Sequence, residues 1–150
     1  MRPVPVAVAL DAPRLETAVA WARAVAPYVS HLKIGLESYL RDGADGVRQI
    51  RAAAPHCALF LDLKLHDIPA TVAGAARSIA ALSPDIVTVH ASGGAAMVGA
   101  AVQSLPDARV AAVTVLTSMS AQDLEQVGIA GDANNACLLY TSDAADDTPC

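Results

Sequence analysis

The chain alternates short apolar segments with longer amphipathic ones, and this alternation restricts its fold more than any other feature. The predicted strands cover residues 4–10, 29–34, 57–63, 85–90 and 109–116. Predicted helices cover residues 13–25, 40–54 and 68–82. A fourth runs from the Ser92-Gly93-Gly94 turn to about residue 105, and a fifth begins at residue 121. A strand recurs roughly every 25 residues, which is typical of βα units in a parallel sheet.

Polar side chains follow these strands at the point where each one ends. They are Asp11, Lys33, Asp62 with Lys64, His90, and Thr117. The carboxyl ends of parallel strands share one edge, and in (β/α)8 barrels that edge carries the active site. An open doubly wound sheet is the alternative, but no Gly-x-Gly-x-x-Gly motif follows the first strand. We therefore predict an α/β fold, a (β/α)8 TIM barrel that is incomplete, with about five of the eight βα units.

Composition supports a buried sheet and argues against several classes of partner. The chain is 54% hydrophobic but only 3% aromatic, so Ala, Val, Leu and Ile must build the core. With a net charge of −5 and no basic cluster, we expect no nucleic-acid partner. Without a long apolar run or a signal-peptide layout, we expect no membrane association and a cytoplasmic location. Cys57, Cys137 and Cys150 lack metal-ligand spacing, so we expect no metal site, and Cys57 is predicted to be a core residue.

The segment Asp62-Leu63-Lys64-Leu65-His66-Asp67-Ile68-Pro69 combines three charges with the end of an apolar strand. Because side chains on a strand alternate, Asp62 and Lys64 point to the same face. Charges beside a buried strand are costly unless they pair or take part in chemistry. Lys33 and Lys64 are the only lysines among ten cationic residues, and an amine can transfer a proton where a guanidinium cannot. The alternative is that both lysines are solvated strand ends.

Several other polar residues have plain structural explanations. Asp11 could cap the helix that follows it. His66 is more simply a hydrogen-bonded structural histidine, and His90 a polar residue of the barrel interior. The Ser92-Gly93-Gly94 segment could bind phosphate, but we interpret it as a turn. Thr71 could be an exposed residue in the first turn of a helix.

The segment from Phe60 to Val72, Phe-Leu-Asp-Leu-Lys-Leu-His-Asp-Ile-Pro-Ala-Thr-Val, closely resembles the active-site signature of the orotidine 5′-phosphate decarboxylase family. The resemblance continues, in order, in Ala9-Leu10-Asp11, Leu32-Lys33-Ile34-Gly35, Val87-Thr88-Val89-His90-Ala91 and Val115-Leu116-Thr117-Ser118. It implies a barrel enzyme that decarboxylates orotidine 5′-monophosphate to uridine 5′-monophosphate in pyrimidine synthesis. It also implies that no metal, flavin or pyridoxal cofactor is needed.

The resemblance assigns catalytic roles to four charged residues. Lys64 would protonate the carbanion that forms at C6 of the pyrimidine and would stabilise its charge. Asp62 would lie beside the substrate carboxylate, and Asp62 and Asp67 would keep Lys64 protonated and aimed. Lys33 would join the same charge network and, with Asp11, bind the ribose hydroxyls.

The resemblance also implies further substrate contacts and a partner. Thr117, possibly with Ser118, would lie near the pyrimidine. Asp67, Ile68 and Thr71 would reach across a two-fold interface into the neighbour's site. A homodimer with shared active sites is therefore expected.

The last residues of the chain do not continue the βα pattern. Residues 137–147 resemble the translation of a common sequencing-library adapter, so we expect 137–150 to be a non-native tail. Residues 1–136 would then be the N-terminal portion of a single barrel domain, without the loops that bind phosphate in the family. We expect this polypeptide to be inactive by itself.

Two alternative functions remain open. One is a magnesium-dependent sugar-phosphate decarboxylase or aldolase of the same barrel group, which shares Asp-x-Lys-x-x-Asp but carries a glutamate where Lys33 stands. Lys33 and the Ile68-Pro69-x-Thr71 extension favour the orotidine function over it. The other alternative is a non-catalytic truncated fragment.

Overall fold

The structure, a computed structural model, describes residues 3–129, 132 and 134–137. Its strands are β1 (Val4–Ala9), β2 (Val29–Gly35), β3 (Ala58–Leu65), β4 (Ile86–His90) and β5 (Arg109–Val113). Its helices are α1 (Leu15–Val25), α2 (Leu36–Ala53), α3 (Pro69–Ala80), α4 (Gly94–Ser104) and α5 (Ala121–Gln126). A short 3₁₀ helix, Ala91–Gly93, precedes α4 at the predicted turn. The predicted alternation of strands and helices is confirmed.

The five strands form one parallel sheet, and their spatial order is their order along the chain. Because β-α-β crossovers are right-handed, sequential order places every connecting helix on the same side of the sheet. This is the arrangement of a (β/α)8 barrel, whereas a doubly wound sheet reverses its strand order and carries helices on both faces. The described units therefore form a half-barrel. The predicted barrel class is confirmed and the doubly wound alternative is excluded.

Most element boundaries differ from the prediction by one or two residues, and the differences at β3, β5 and α2 affect the site or the helix geometry. β3 continues to Leu65, so Lys64 lies inside the strand. β5 ends at Val113 rather than at residue 116, which leaves Thr117 in the following loop. α2 begins at Leu36 rather than at residue 40, and it is interrupted at Gly43, where φ is 61°. Glycine adopts this conformation without a Cβ clash, so two helical segments join there.

The hydrophobic core lies between the helices and one face of the sheet. The strands contribute alternate large side chains to it: Leu32, Ile34, Leu59, Leu61, Val87. The helices contribute a mixture of small and branched residues: Ala18, Ala22, Val47, Ile50, Ala76, Ile79. Alternation turns the intervening side chains, which include Lys33, Asp62 and Thr88, to the opposite face. That face becomes the inside of the half-barrel and carries the candidate site.

The burial of Cys57 and the length of the helices bear on the expectations from composition. Cys57 is buried, with its Sγ 3.5 Å from the carbonyl oxygen of Val29, which confirms it as a core residue. Among the helices of the described ranges, none is long and apolar enough to span a membrane.

Candidate active site

One carboxylate on β3 holds two lysine side chains at the carboxyl edge of the sheet. Lys64 Nζ lies 2.7 Å from Asp62 Oδ1, and Lys33 Nζ lies 3.0 Å from Asp62 Oδ2. The side chain of Asp62 is 11% exposed, whereas those of Lys33 and Lys64 are 25% and 36% exposed. Asp62 is thus ion-paired with both lysines. Asp62, Lys33 and Lys64 form a hydrogen-bonded group that we call the lysine cluster. Because two ammonium groups share one carboxylate, this cluster has an excess positive charge and suits an anionic ligand.

The pKa of Asp62 reflects two opposing influences. Burial alone raises the pKa of this carboxyl, but hydrogen bonds from Lys64, Lys33 and Thr88 lower it further than burial raises it. The net result is a pKa below the ordinary value for aspartate. Asp62 is therefore ionised at neutral pH and keeps both ammonium groups in place.

β3 has an irregularity at Lys64. Leu61 pairs with Val87 and Leu65 pairs with Val89, so four steps along β3 match only two along β4. Lys64 lies inside this bulge with a φ of 49°, a left-handed conformation that is uncommon for residues other than glycine. Despite this irregularity, the Lys64 ammonium lies on the Asp62 side of the sheet and is hydrogen-bonded to Asp62.

The hydroxyl of Thr88 lies opposite the bulge. Thr88 Oγ1 accepts a hydrogen bond from the backbone N–H of Lys64 at 2.9 Å and donates one to Asp62 Oδ1 at 2.9 Å. Sequence analysis did not identify Thr88 as a site residue. The available signal was a hydroxyl in the middle of Val87-Thr88-Val89, on the face opposite the two buried valines.

Asp11 lies at the same edge but outside the hydrogen bonds of the lysine cluster. A Cβ added to Gly35 would lie 2.9 Å from Asp11 Oδ1, so the carboxylate sits against the backbone at the end of β2. Gly35 in turn pairs with Asp62 on β3. The cap of α1 is Arg14, which makes no side-chain capping bond, so the explanation of Asp11 as a helix cap is wrong. Sequence analysis also missed the part that Gly35 plays here.

The residues expected to reach a neighbouring subunit lie on the surface where α3 begins. Asp67 Oδ1 accepts a hydrogen bond from the backbone N–H of Ile68 at 2.7 Å, and both residues are exposed. The side chain of Ile68 is large and apolar and 66% exposed. Thr71 is exposed in the first turn of α3. Within the described ranges, these residues make no hydrogen bond to Lys64.

The loop after β5 and two histidines border the site on its other side. Thr117 and Ser118 are exposed in that loop, and in the described part of the chain neither is hydrogen-bonded to the lysine cluster. The rings of His66 and His90 are 5.1 Å apart. Burial, the neighbouring His66 and Lys64 lower the pKa of His90, which favours its neutral form. Both rings line a cavity of about 320 Å³ beside the loop.

The arrangement can bind an anion and deliver a proton. The Lys64 ammonium is held by Asp62, is partly accessible and can donate to an atom placed above the strand ends. Residues 3–129, 132 and 134–137 contain no group of three or more His, Cys, Asp or Glu side chains placed to hold a metal ion.

Comparison with known proteins relates this site to a family. The sequence matches the family described as "Orotidine 5'-phosphate decarboxylase / HUMPS family" over residues 5–149. It is 63% identical over 132 residues to the orotidine 5′-phosphate decarboxylase of Thermobifida fusca, an alignment that covers 88% of this chain and 56% of that protein. The chain thus spans a little over half the length of the curated relatives it matches.

Solved structures agree with the sequence matches. The crystal structure of an uncharacterized conserved protein from Geobacillus kaustophilus is 35% identical, has a TM-score of 0.83, and is matched over 92% of this chain and 67% of that one. The orotidine 5′-phosphate decarboxylase of Lactobacillus acidophilus is 29% identical with a TM-score of 0.76, over 91% of this chain and 64% of that one. The family match over nearly the whole sequence and the shared half-barrel have one explanation: the chain belongs to the orotidine 5′-phosphate decarboxylase / HUMPS family.

Proposed function

We propose that this chain supplies the catalytic residues of a decarboxylase that converts orotidine 5′-monophosphate to uridine 5′-monophosphate in pyrimidine synthesis. The observation that carries the proposal is the cluster in which Asp62 holds both Lys33 and Lys64. The family description covers two groups, orotidine 5′-phosphate decarboxylase and HUMPS. The relatives named orotidine 5′-phosphate decarboxylase support the first of these.

The proposed chemistry needs only side chains of the protein. The bond between C6 of the pyrimidine and the carboxylate breaks, carbon dioxide leaves, and the electron pair remains on C6. Lys64 Nζ stabilises this charge and then transfers a proton to C6, and the neutral amine regains a proton from water. Asp62 lies beside the substrate carboxylate, and together with Asp67 of the partner subunit it keeps Lys64 protonated and aimed. The reaction requires no metal or organic cofactor.

We assign the remaining predicted residues to substrate binding. Lys33 and Asp11 bind the ribose hydroxyls, which fits their place at the carboxyl ends of β2 and β1. Thr117 and Ser118 approach the pyrimidine from the loop after β5.

We further propose a homodimer with shared sites. In this assembly Asp67, Ile68 and Thr71 enter the site of the other subunit. The 66% exposure of Ile68, an apolar side chain beside two polar ones, supports an interface at the start of α3.

The domain organisation remains a proposal. Residues 1–136 would form the N-terminal portion of one barrel domain located in the cytoplasm. The tail at 137–150 would be non-native, and residues 138–150 lie outside the described residues. We expect the 150-residue chain to lack activity by itself, because remote binding energy from the phosphate is used at the reacting carbon.

A chimaera tests the proposed function. It joins residues 1–129 of this chain to the corresponding remainder of the Thermobifida fusca decarboxylase. We expect the chimaera to decarboxylate orotidine 5′-monophosphate in the presence of a metal chelator. Lys64→Ala should abolish turnover, and Lys64→Arg should fail to restore it, because a guanidinium keeps the charge but does not release a proton.

The same assay separates the alternatives. A requirement for magnesium, together with turnover of a sugar phosphate, would favour the sugar-phosphate decarboxylase or aldolase. A folded chimaera without affinity for uridine 5′-monophosphate would favour the non-catalytic fragment. The isolated 150-residue chain serves as the control, and measurable turnover from it would contradict the expected inactivity.

A further inference from the structure

The bulge in β3 leaves a backbone donor that the neighbouring strand does not bind in the regular way. Between the pairs Leu61 with Val87 and Leu65 with Val89, β3 has more residues than β4 can match. A buried N–H without an acceptor costs free energy. At Lys64 this donor is satisfied by a side chain, the hydroxyl of Thr88, at 2.9 Å.

The two hydrogen bonds of Thr88 fix each other's direction. The backbone N–H of Lys64 can only donate, so the Thr88 oxygen must accept there. The single hydroxyl proton is then free to point at Asp62 Oδ1, 2.9 Å away, which as a carboxylate oxygen can only accept. Thr88 is 4% exposed, so water does not compete for either bond.

Thr88 is therefore hydrogen-bonded to both members of the ion pair, to the backbone of Lys64 and to the carboxylate of Asp62. Asp62 Oδ1 receives the Lys64 ammonium at 2.7 Å as well as the Thr88 hydroxyl. The backbone of Lys64, meanwhile, is held with a φ of 49°, which costs energy and persists only when its surroundings enforce it. One hydroxyl thus connects the strained backbone of the proton donor to the carboxylate that aims it.

We propose that Thr88 is a positioning residue that holds the Lys64 backbone in its left-handed conformation and orients the Asp62 carboxylate toward the Lys64 ammonium. The consequence for catalysis rests on the proposed function, whereas the positioning itself does not. Thr88 does not act on the substrate. It acts through Lys64 and Asp62, so its removal should affect kcat more than KM.

Thr88→Val and Thr88→Ser test the positioning in the 150-residue chain by NMR. Valine keeps the volume and loses both hydrogen bonds, whereas serine keeps the hydroxyl. We expect Thr88→Val to raise the pKa of Asp62 and to accelerate exchange of the Lys64 amide proton by about tenfold, with Val87 and Val89 amides unchanged. Thr88→Ser should leave both quantities close to those of the unmodified chain.

Other outcomes would overturn the proposal. An unchanged Asp62 pKa and Lys64 exchange rate in Thr88→Val would show that the hydroxyl holds neither group. Equal acceleration along the whole of β4 would show a general packing role instead. If Thr88→Val does not fold, the unmodified chain decides: the Thr88 hydroxyl proton should exchange slowly enough to be observed and should lie close to the Lys64 amide proton. Absence of a signal from the Thr88 hydroxyl proton would refute the role proposed for Thr88.

A kinetic measurement in the chimaera is separate from this test. We expect Thr88→Val to lower kcat by about tenfold with KM changed by less than about twofold, and Thr88→Ser to restore kcat. If the unmodified chimaera does not turn over orotidine 5′-monophosphate, the proposed function fails while the NMR result still decides the role of Thr88. If turnover is present and Thr88→Val leaves kcat unchanged, the catalytic consequence of the positioning is refuted while the proposed function stands.

Discussion

Lys33 and Asp62 are 29 residues apart in the sequence, on neighbouring strands, and their side chains meet at 3.0 Å. Gly35 on β2 pairs with Asp62 on β3, so the lysine reaches the carboxylate from a position nearer the start of its strand. The backbone register of the two strands therefore determines the pairing. A shift of one residue would turn Lys33 toward the helices and break the cluster.

Asp62→Asn is expected to be more damaging than its size suggests. The amide keeps the shape of the side chain but leaves two ammonium groups without a counter-charge. We expect kcat in the chimaera to fall by about 10²–10⁴-fold. The free energy of unfolding should fall by about 1–2 kcal/mol, which urea denaturation would measure.

Asp45→Asn provides the matched control for that substitution. Asp45 pairs with Arg48 on the surface, where the two side chains are 87% and 59% exposed. Removing this ion pair should change the unfolding free energy by less than about 0.5 kcal/mol. Equal losses in the two variants would mean that the Asp62 cluster contributes no more than an ordinary surface ion pair.

The lowered pKa of Asp62 predicts a loss of stability in acid. Its carboxyl binds a proton less readily in the folded chain than in the unfolded chain. The stabilisation is complete above the ordinary aspartate pKa of about 3.9 and is lost as pH falls from there through the lower pKa of the folded state. Thermal unfolding between about pH 2 and pH 5 measures this. Asp62→Asn should show a weaker dependence on pH, and identical slopes would contradict the cause assigned here.

Much of the fold follows from sequence because the signals are local. Apolar segments bounded by turn residues predict each strand, and a side-chain period of two predicts that Asp62 and Lys64 share a face. The hydrogen bond between them confirms that expectation. Their shared edge with Lys33 follows from the parallel order of the strands.

Other parts of the site depend on the pairing of particular strands. The bulge at Lys64 arises because β3 and β4 have different numbers of residues between two matched pairs, and no single segment encodes that mismatch. Thr88 was missed for the same reason, since its value comes from lying opposite the bulge. The early end of β5 at Val113 was also missed, because two more apolar residues, Val115 and Leu116, follow Thr114.

Gly35→Ala tests the placement of Asp11. The added Cβ would lie 2.9 Å from Asp11 Oδ1, and the next nearest atom, Asp11 Cγ, would be 4.0 Å away. The carboxylate is the end of a flexible side chain, so it can move away at little cost to stability. We expect an unfolding free energy within about 1 kcal/mol of the unmodified chain. In the chimaera, titration with uridine 5′-monophosphate should show about tenfold weaker binding, because Asp11 no longer meets the ribose.

Gly99→Ala is the control for the glycine substitution. A Cβ at Gly99, within α4, would meet nothing within 4 Å. Alanine should stabilise the helix by up to about 1 kcal/mol and leave nucleotide binding unchanged. If Gly35→Ala also leaves nucleotide binding unchanged, Asp11 does not bind the ribose in the way proposed.

Mixed dimers test whether the active sites are shared. Lys64 and Asp67 are close in the sequence, yet Asp67 is exposed and bonded to the Ile68 backbone rather than to Lys64. If Asp67 serves the partner's site, a dimer of one Lys64→Ala and one Asp67→Ala chimaera contains one site with both residues intact. Random pairing makes about half of the dimers mixed, so about a quarter of the unmodified activity should return when two inactive variants are combined. Combining Lys64→Ala with Lys64→Ala,Asp67→Ala should restore none, because no intact site can form. Absence of recovery in the first mixture, with subunit exchange verified by differently tagged chains, would place Asp67 in the site of its own subunit.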